Sequence, residues 1–230
     1  MLGMSRLFGA MPVTHVILAE EWLKRVPMKN IWDRREFILG NLFPDIRYLV
    51  GIPRERTHWA GLTAGQILEE PAPFLRGMKV HSFVDEVRAS LMEEWGIHEL
   101  VPELPIKHRA TFYKLLEDEV LFDRIDHYEI QEVLLISSTL EDLESIDDQK
   151  LWRWHAILDV YFSMRPSQLM RKLAENGKSL WGISPDQLMI WSHWLSFLST
   201  NTQIQNYVDA MILEVAQHFE QNPFTLLSER

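Results

Sequence analysis

The sequence predicts an all-α fold, a compact multi-helix bundle, and three observations predict it. Apolar residues recur at helical spacing: Val80, Val84, Val87, Leu91 and Trp95 make one stripe, and Leu151, His155, Leu158 and Phe162 share another. No alternating strand pattern lasts more than a few residues. Helix start and stop signals punctuate the chain in order.

The first helix is expected from Thr14, as N-cap, to about Arg25, ahead of Pro27. It carries His15, Leu18, Ala19 and Trp22 on one face. A second helix covers about 32–39. Gly40 and Pro44 then punctuate a turn that delivers Asp45 into a constrained loop. The loop 47–57 gathers Arg47, Arg54 and Arg56, a local positive cluster that ends at Thr57-His58-Trp59. A short helix is expected over 61–70, closed by Pro71 and Pro73, and a long one over 74–95. On the long helix Arg76, Lys79, Ser82, Glu86, Ser90 and Glu93 form the expected polar back. His81 and Asp85 lie between the two faces, beside Phe74, Met78 and Met92.

After a loop marked by Gly96, Pro102 and Pro105, a second long helix is expected over 106–125, with His108, Phe112, Leu115 and Glu119 on one face. Helices are expected over 129–138, 151–164, from Pro166 to an Asn176-Gly177 C-cap, from a Ser184 N-cap with Pro185 at N1 to about Ser199, and over 201–222. The acidic stretch 140–148 reads as a solvated turn region. No linker divides the chain, so residues 1–230 read as a single helical domain, with a metal-binding half over 14–90 and a helical extension over 140–230.

Composition removes several classes of function. The chain has 230 residues, and at 47% hydrophobic content a sizeable core is expected and disorder is not. Nine Trp and eleven Phe point to thick helix-on-helix packing or to an apolar cleft. With no cysteine, thiolate metal sites and disulfides are excluded, so a metal must be held by His, Asp and Glu. A net charge of −10 argues against bulk nucleic-acid binding and, weakly, against anionic membranes. No stretch reaches the roughly eighteen uncharged apolar residues of a membrane helix. Pro12 and His15 interrupt the apolar N-terminal stretch, and a cytoplasmic location is the expectation.

The chemistry centres on His81 and Asp85. Four residues apart on a helix, they share one face and can reach one divalent metal. Alone, the pair reads first as a core histidine bonded to a structural aspartate. With His15 at a helix start, Asp45 after a turn proline and His58 at a loop end, five candidate ligands stand in order. His98, His127, His193 and His218 read as surface or helix-end histidines.

At these residues the chain resembles the zinc-dependent phospholipase C family, which in its wider sense includes single-strand nucleases. The matching pieces are Thr14-His15, the stretch Leu39-Gly40-Asn41-Leu42-Phe43-Pro44-Asp45-Ile46, Thr57-His58, and His81-Ser82-Phe83-Val84-Asp85. The resemblance covers roughly residues 14–90. It implies a helical hydrolase of phosphodiesters or phosphomonoesters. Its metal ligands would be His15, Asp45, His58, His81 and Asp85, and Asp45 would double as general base. Water activated by such ions attacks phosphorus while the ions stabilise developing charge. Arg47, Arg54 or Arg56 would hold the phosphate of a small-molecule or lipid-headgroup substrate.

Three-metal members of the family add an N-terminal tryptophan ligand and a histidine six residues after the aspartate of His-x-x-x-Asp. Position 91 here is a leucine. One or two ions, most simply zinc, are therefore expected. His155 with Asp159, or His108 with Glu119, stands as a candidate substitute for a further family ligand pair. Two rival readings differ in class. A metallohydrolase built on an adjacent His-Asp dipeptide is disfavoured, because the sequence has none. A non-catalytic helical protein would keep a structural metal site and bind a partner through its Trp-rich C-terminal half.

Overall fold

A computed structural model describes residues 10–96, 108–135 and 146–220, and within them the class is all-α. The helices are α1 (Pro12–Arg25), α2 (Ile31–Leu42), α3 (Arg47–Val50), α4 (Ala64–Leu68), α5 (Pro73–Glu94), α6 (Arg109–Leu121), α7 (His127–Leu134), α8 (Asp148–Phe162), α9 (Pro166–Glu175), α10 (Pro185–Leu198) and α11 (Thr202–His218). Short 3-10 turns cover Phe43–Ile46, Arg54–Arg56 and Phe122–Arg124. No helix among the described residues is long and apolar enough to cross a membrane.

The punctuation read from the sequence explains several boundaries. Ser184 accepts from the Gln187 N–H with Pro185 at N1 of α10, and Asn201 caps α11 through the Gln203 and Ile204 N–H groups. Asn176 and left-handed Gly177 end α9. Thr63 and Gln66 cap α4 reciprocally.

Other boundaries differ from expectation. Thr14 is not an N-cap: α1 begins two residues earlier, at Pro12, and a carboxylate from α6 closes its open end. Pro73 opens α5 rather than only closing α4. The arginine loop contains the short helix α3 and a 3-10 turn. Ser82 belongs to no polar back: it is buried, donates to the Met78 carbonyl and accepts from the Trp59 N–H. Expectations for residues 97–107, 136–145 and 221–230, His98 among them, lie outside the described residues.

One hydrophobic cluster runs from Ala10 to Phe219. Its tightest contact is that of α2 with α5. A Cβ on Gly40 would stand 2.0 Å from the Phe74 carbonyl oxygen, and one on Gly77 2.1 Å from the Phe37 carbonyl oxygen. Only glycine allows backbones that close. This approach sets the Asn41 carbonyl against the His81 ring. On the other side, Phe219 meets Trp22 edge-on at 5.2 Å and Phe83 at 5.6 Å, which packs the end of α11 against α1 and α5.

Candidate metal centre

Each candidate ligand arrives on a different support. His15 lies in the first turn of α1. Its helix end is held by Asp118, which accepts from the Val13 N–H (2.9 Å), the Thr14 N–H (2.8 Å) and the Thr14 hydroxyl (2.6 Å). His81 and Asp85 lie one turn apart on α5. Asp45 sits in the 3-10 turn that follows α2, where Pro44 and the turn fix its direction. His58 follows the second 3-10 turn, and its Nδ1 is 2.9 Å from the Thr57 hydroxyl.

The structure brings all five together. The His15 and His81 rings stack with centroids 3.8 Å apart and an 11° tilt, and the His58 ring meets His81 nearly edge-on at 4.9 Å. His15 Nε2 is 3.3 Å from Asp85 Oδ1. His58 Nε2 and His81 Nε2 are 3.4 and 3.7 Å from Oδ2. Asp45 Oδ1 lies 3.9 Å from His81 Nε2. Two ligand groups result, His15 with His81 and Asp85, and Asp45 with His58 and His81, each with its donor atoms within 4.8 Å of one another.

The donor chemistry fits a divalent cation. His81 Nδ1 donates to the Asn41 backbone carbonyl at 2.8 Å, so its Nε2 carries the lone pair. Asn41 also ties the two histidine backbones together. Its side-chain nitrogen can meet the His15 carbonyl at 3.0 Å while its oxygen meets the His81 N–H at 3.3 Å. The Nε2 atoms of His15, His58 and His81 are buried and make no hydrogen bond. Buried polar atoms in a folded protein nearly always find a partner. Three imidazole nitrogens aimed at one carboxylate without one are the arrangement a cation satisfies. Because one imidazole nitrogen offers one lone pair, His81 can serve only one ion. A second ion would be held by Asp45 and His58.

Electrostatics favour the ligating protonation states. Burial, then the neighbouring His81, lowers His15 to about 3, and burial lowers His58 to about 4, so both imidazoles are neutral at pH 7. Burial pushes Asp85 up, but His81 and then His15 and His58 outweigh it and hold the carboxyl well below its usual range. Burial raises Asp45, against the pull of His81. Asp45 is also the more open of the two carboxylates.

His58 and Asp85 form part of the wall of a cleft of about 870 Å³, together with Arg54, Trp59, Arg88 and Lys114. Of the three loop arginines only Arg54 lines it, with one guanidinium nitrogen 3.3 Å from Asp85 Oδ2. Arg47 instead lies over the Tyr48 ring at 4.0 Å, and exposed Arg56 is not part of the lining.

Neither candidate substitute pair joins a metal-holding group among the described residues. The Glu119 carboxylate accepts from the Ser167 N–H (2.7 Å) and hydroxyl (2.8 Å), and His108 packs edge-on against Trp191. His155 is half-buried and Asp159 exposed on α8.

Sequence reasoning missed Arg88 and Lys114. Arg88 stood in plain view at i+7 from His81 and i+3 from Asp85, the same helical face. Lys114 gave no local signal.

Comparison with protein-family models, with curated proteins and with solved structures finds no match. The functional reading rests on the site itself.

Proposed function

We propose that the chain is a metal-dependent hydrolase of phosphoester bonds. One observation carries the reading: three buried imidazole Nε2 atoms and a buried carboxylate converge at the wall of a cleft, and none of the three nitrogens has a hydrogen-bond partner. His15, His58, His81 and Asp85 would hold the ion, with Asp45 beside them. Zinc suits such nitrogen and oxygen donors, and manganese, iron or nickel are the alternatives for such a set. When bound, the ion supplies Lewis acidity toward a phosphoryl oxygen and activates water.

The chain's own residues supply the remainder. Asn41 orients His81 through the Nδ1 hydrogen bond. Asp45, partly open and raised in pKa, is suited to accept a proton from water. Arg54 at the cleft is suited to a substrate phosphate. The resemblance of the His15, Asp45, His58 and His81–Asp85 motifs to the zinc-dependent phospholipase C family supports the same chemistry, with a small phosphoester or a lipid headgroup as substrate.

The test is phosphodiesterase and phosphomonoesterase turnover of p-nitrophenyl esters by zinc-loaded protein. Activity that disappears in His81→Ala and Asp85→Asn supports the proposal. Turnover unaffected by both, or none at any metal loading, contradicts it.

A second reading, a non-catalytic protein with a bracing metal and a partner site, has one observation in its favour. Leu49, Trp152, Ile157, Val160, Leu169 and Trp181 line an apolar groove of about 550 Å³. Trp152 is 71% exposed there. Metal removal that unfolds a protein with no activity to lose would favour that reading.

A further inference from the structure

Helix α6 buries four charged side chains within two turns: Lys114, Glu117, Asp118 and Glu119. Buried charges are tolerated when paired or hydrogen-bonded. Three of the four are closed by protein groups. Glu117 takes a two-pronged pair from Arg88, both contacts at 2.7 Å, and a hydrogen bond from the Tyr207 hydroxyl at 2.6 Å. Asp118 accepts from α1 and from the Tyr161 hydroxyl at 2.8 Å. Glu119 caps α9 through Ser167.

Lys114 is the exception. The residue is 4% exposed, and its ammonium, which is not one of the fully buried atoms without a partner, makes no hydrogen bond or ion pair among the described residues. It lines the same cleft as His58 and Asp85. Arg88, the other buried cation in that wall, is already committed to Glu117. The cleft is therefore lined by one largely buried lysine whose donors are open to a ligand.

We infer that Lys114 is the core of an oxyanion subsite in this cleft, binding a phosphate group of a substrate whose scissile bond faces His58 and Asp85. The inference rests on the hydrolase reading above and adds to it the group that recognises the substrate's charge. An ammonium is a compact point charge with three donors, suited to a tetrahedral oxyanion. Burial, and then Arg88, lower Lys114 to about 8, while Asp85 and Asp45 pull it back up. An arriving oxyanion removes that cost by supplying the missing partner. Arg54 differs in both respects: it is 42% exposed and already donates to Asp85.

The test uses full-length zinc-loaded protein, with zinc content and inorganic phosphate affinity measured separately by elemental analysis and calorimetry. Lys114→Met keeps the side chain's length and apolar stem. It should leave zinc content unchanged and weaken phosphate binding by about tenfold or more. Unchanged phosphate affinity at unchanged zinc content overturns the subsite and leaves the metal reading standing. Absence of zinc from wild type instead counts against the metal reading.

A second measurement on wild type covers the case in which the variant does not fold. In reductive methylation read by mass spectrometry, phosphate should protect Lys114 at least severalfold more than surface-exposed Lys24. Equal protection overturns the inference, whatever the metal content. Repeating the affinity comparison with phosphatidylcholine vesicles identifies the source of the phosphate. Dependence on Lys114 with vesicles as well as inorganic phosphate points to a lipid headgroup, and with inorganic phosphate alone to a small phosphoester. Dependence with neither overturns the subsite.

Discussion

The chain buries two groups of polar side chains, and they differ in how they are closed. On α6 the carboxylates of Glu117, Asp118 and Glu119 are met by arginine, hydroxyl and backbone donors drawn from α1, α5, α8, α9 and α11. In the histidine cluster, by contrast, the Nε2 atoms of His15, His58 and His81 face one another and Asp85 without a hydrogen bond. Protein donors that fully satisfy a buried charge leave nothing for a ligand, so the α6 carboxylates hold the fold. Unfilled buried polar atoms have a cost that a cation would repay, so the cluster is suited to a ligand.

That contrast can be broken by substitution. The largest effect on stability is expected from Arg88→Ala, which leaves Glu117 buried without its counter-charge. A loss of about 4 kcal/mol is expected in chemical denaturation of the metal-free protein, and a loss below about 1 kcal/mol would show that the pair is not closed as described. Asp118→Ala comes next. It strips the start of α1 and the Tyr161 hydroxyl of their acceptor, for about 3 kcal/mol. Because His15 lies in that turn, zinc affinity should fall with stability, and calorimetry that finds affinity unchanged would separate Asp118 from the site.

Acid should act on the cluster of the metal-free protein. His15 folds at about 3 and His58 at about 4, both below the 6.5 of an unperturbed imidazole. Between those values the unfolded chain binds more protons than the folded one, so stability rises with pH. The contribution is complete above about pH 6.5 and is lost as pH falls toward 3. Asp85, held well below its usual range, acts in the same direction. Asp118, raised by burial to about 6, opposes this in part, and Lys114, lowered to about 8, titrates only at higher pH. Melting temperatures of chelated protein should change little between about pH 7 and 8 and fall below about pH 6; a level profile down to pH 4 would mean that the imidazoles are not buried and neutral.

The smallest effect on stability is expected from His58→Ala. Removing an unsatisfied Nε2 offsets the loss of the Nδ1 contact with Thr57, so metal-free stability should change by less than about 1 kcal/mol. The same substitution should weaken zinc binding by about 100-fold. A large stability loss with intact zinc binding would reverse the roles assigned to the two regions.

The two regions also differ in how legible they were. Helix starts such as Ser184-Pro185 and stops such as Asn176-Gly177 could be read because their chemistry is local. So could the His81–Asp85 pair, since a four-residue spacing on a helix fixes which side chains meet. His15, Asp45 and His58 came together in the reading only through their resemblance to a known order of motifs. Thr14 was misread as a cap because the group that closes α1, Asp118, lies 104 residues away. By residue type alone, Lys114, Glu117 and Asp118 would be solvated. Only the donors on five other helices make the carboxylates interior, and no local pattern announces those donors.

Zinc content per chain tests the central claim most directly. It should be measured by elemental analysis after reconstitution and dialysis on wild type, His81→Ala and, as a control from the closed network, Tyr161→Phe. The account predicts one or two ions in wild type, the same in Tyr161→Phe and none retained by His81→Ala. A wild type that retains no divalent ion, or a His81→Ala protein that retains as much as wild type, would contradict it.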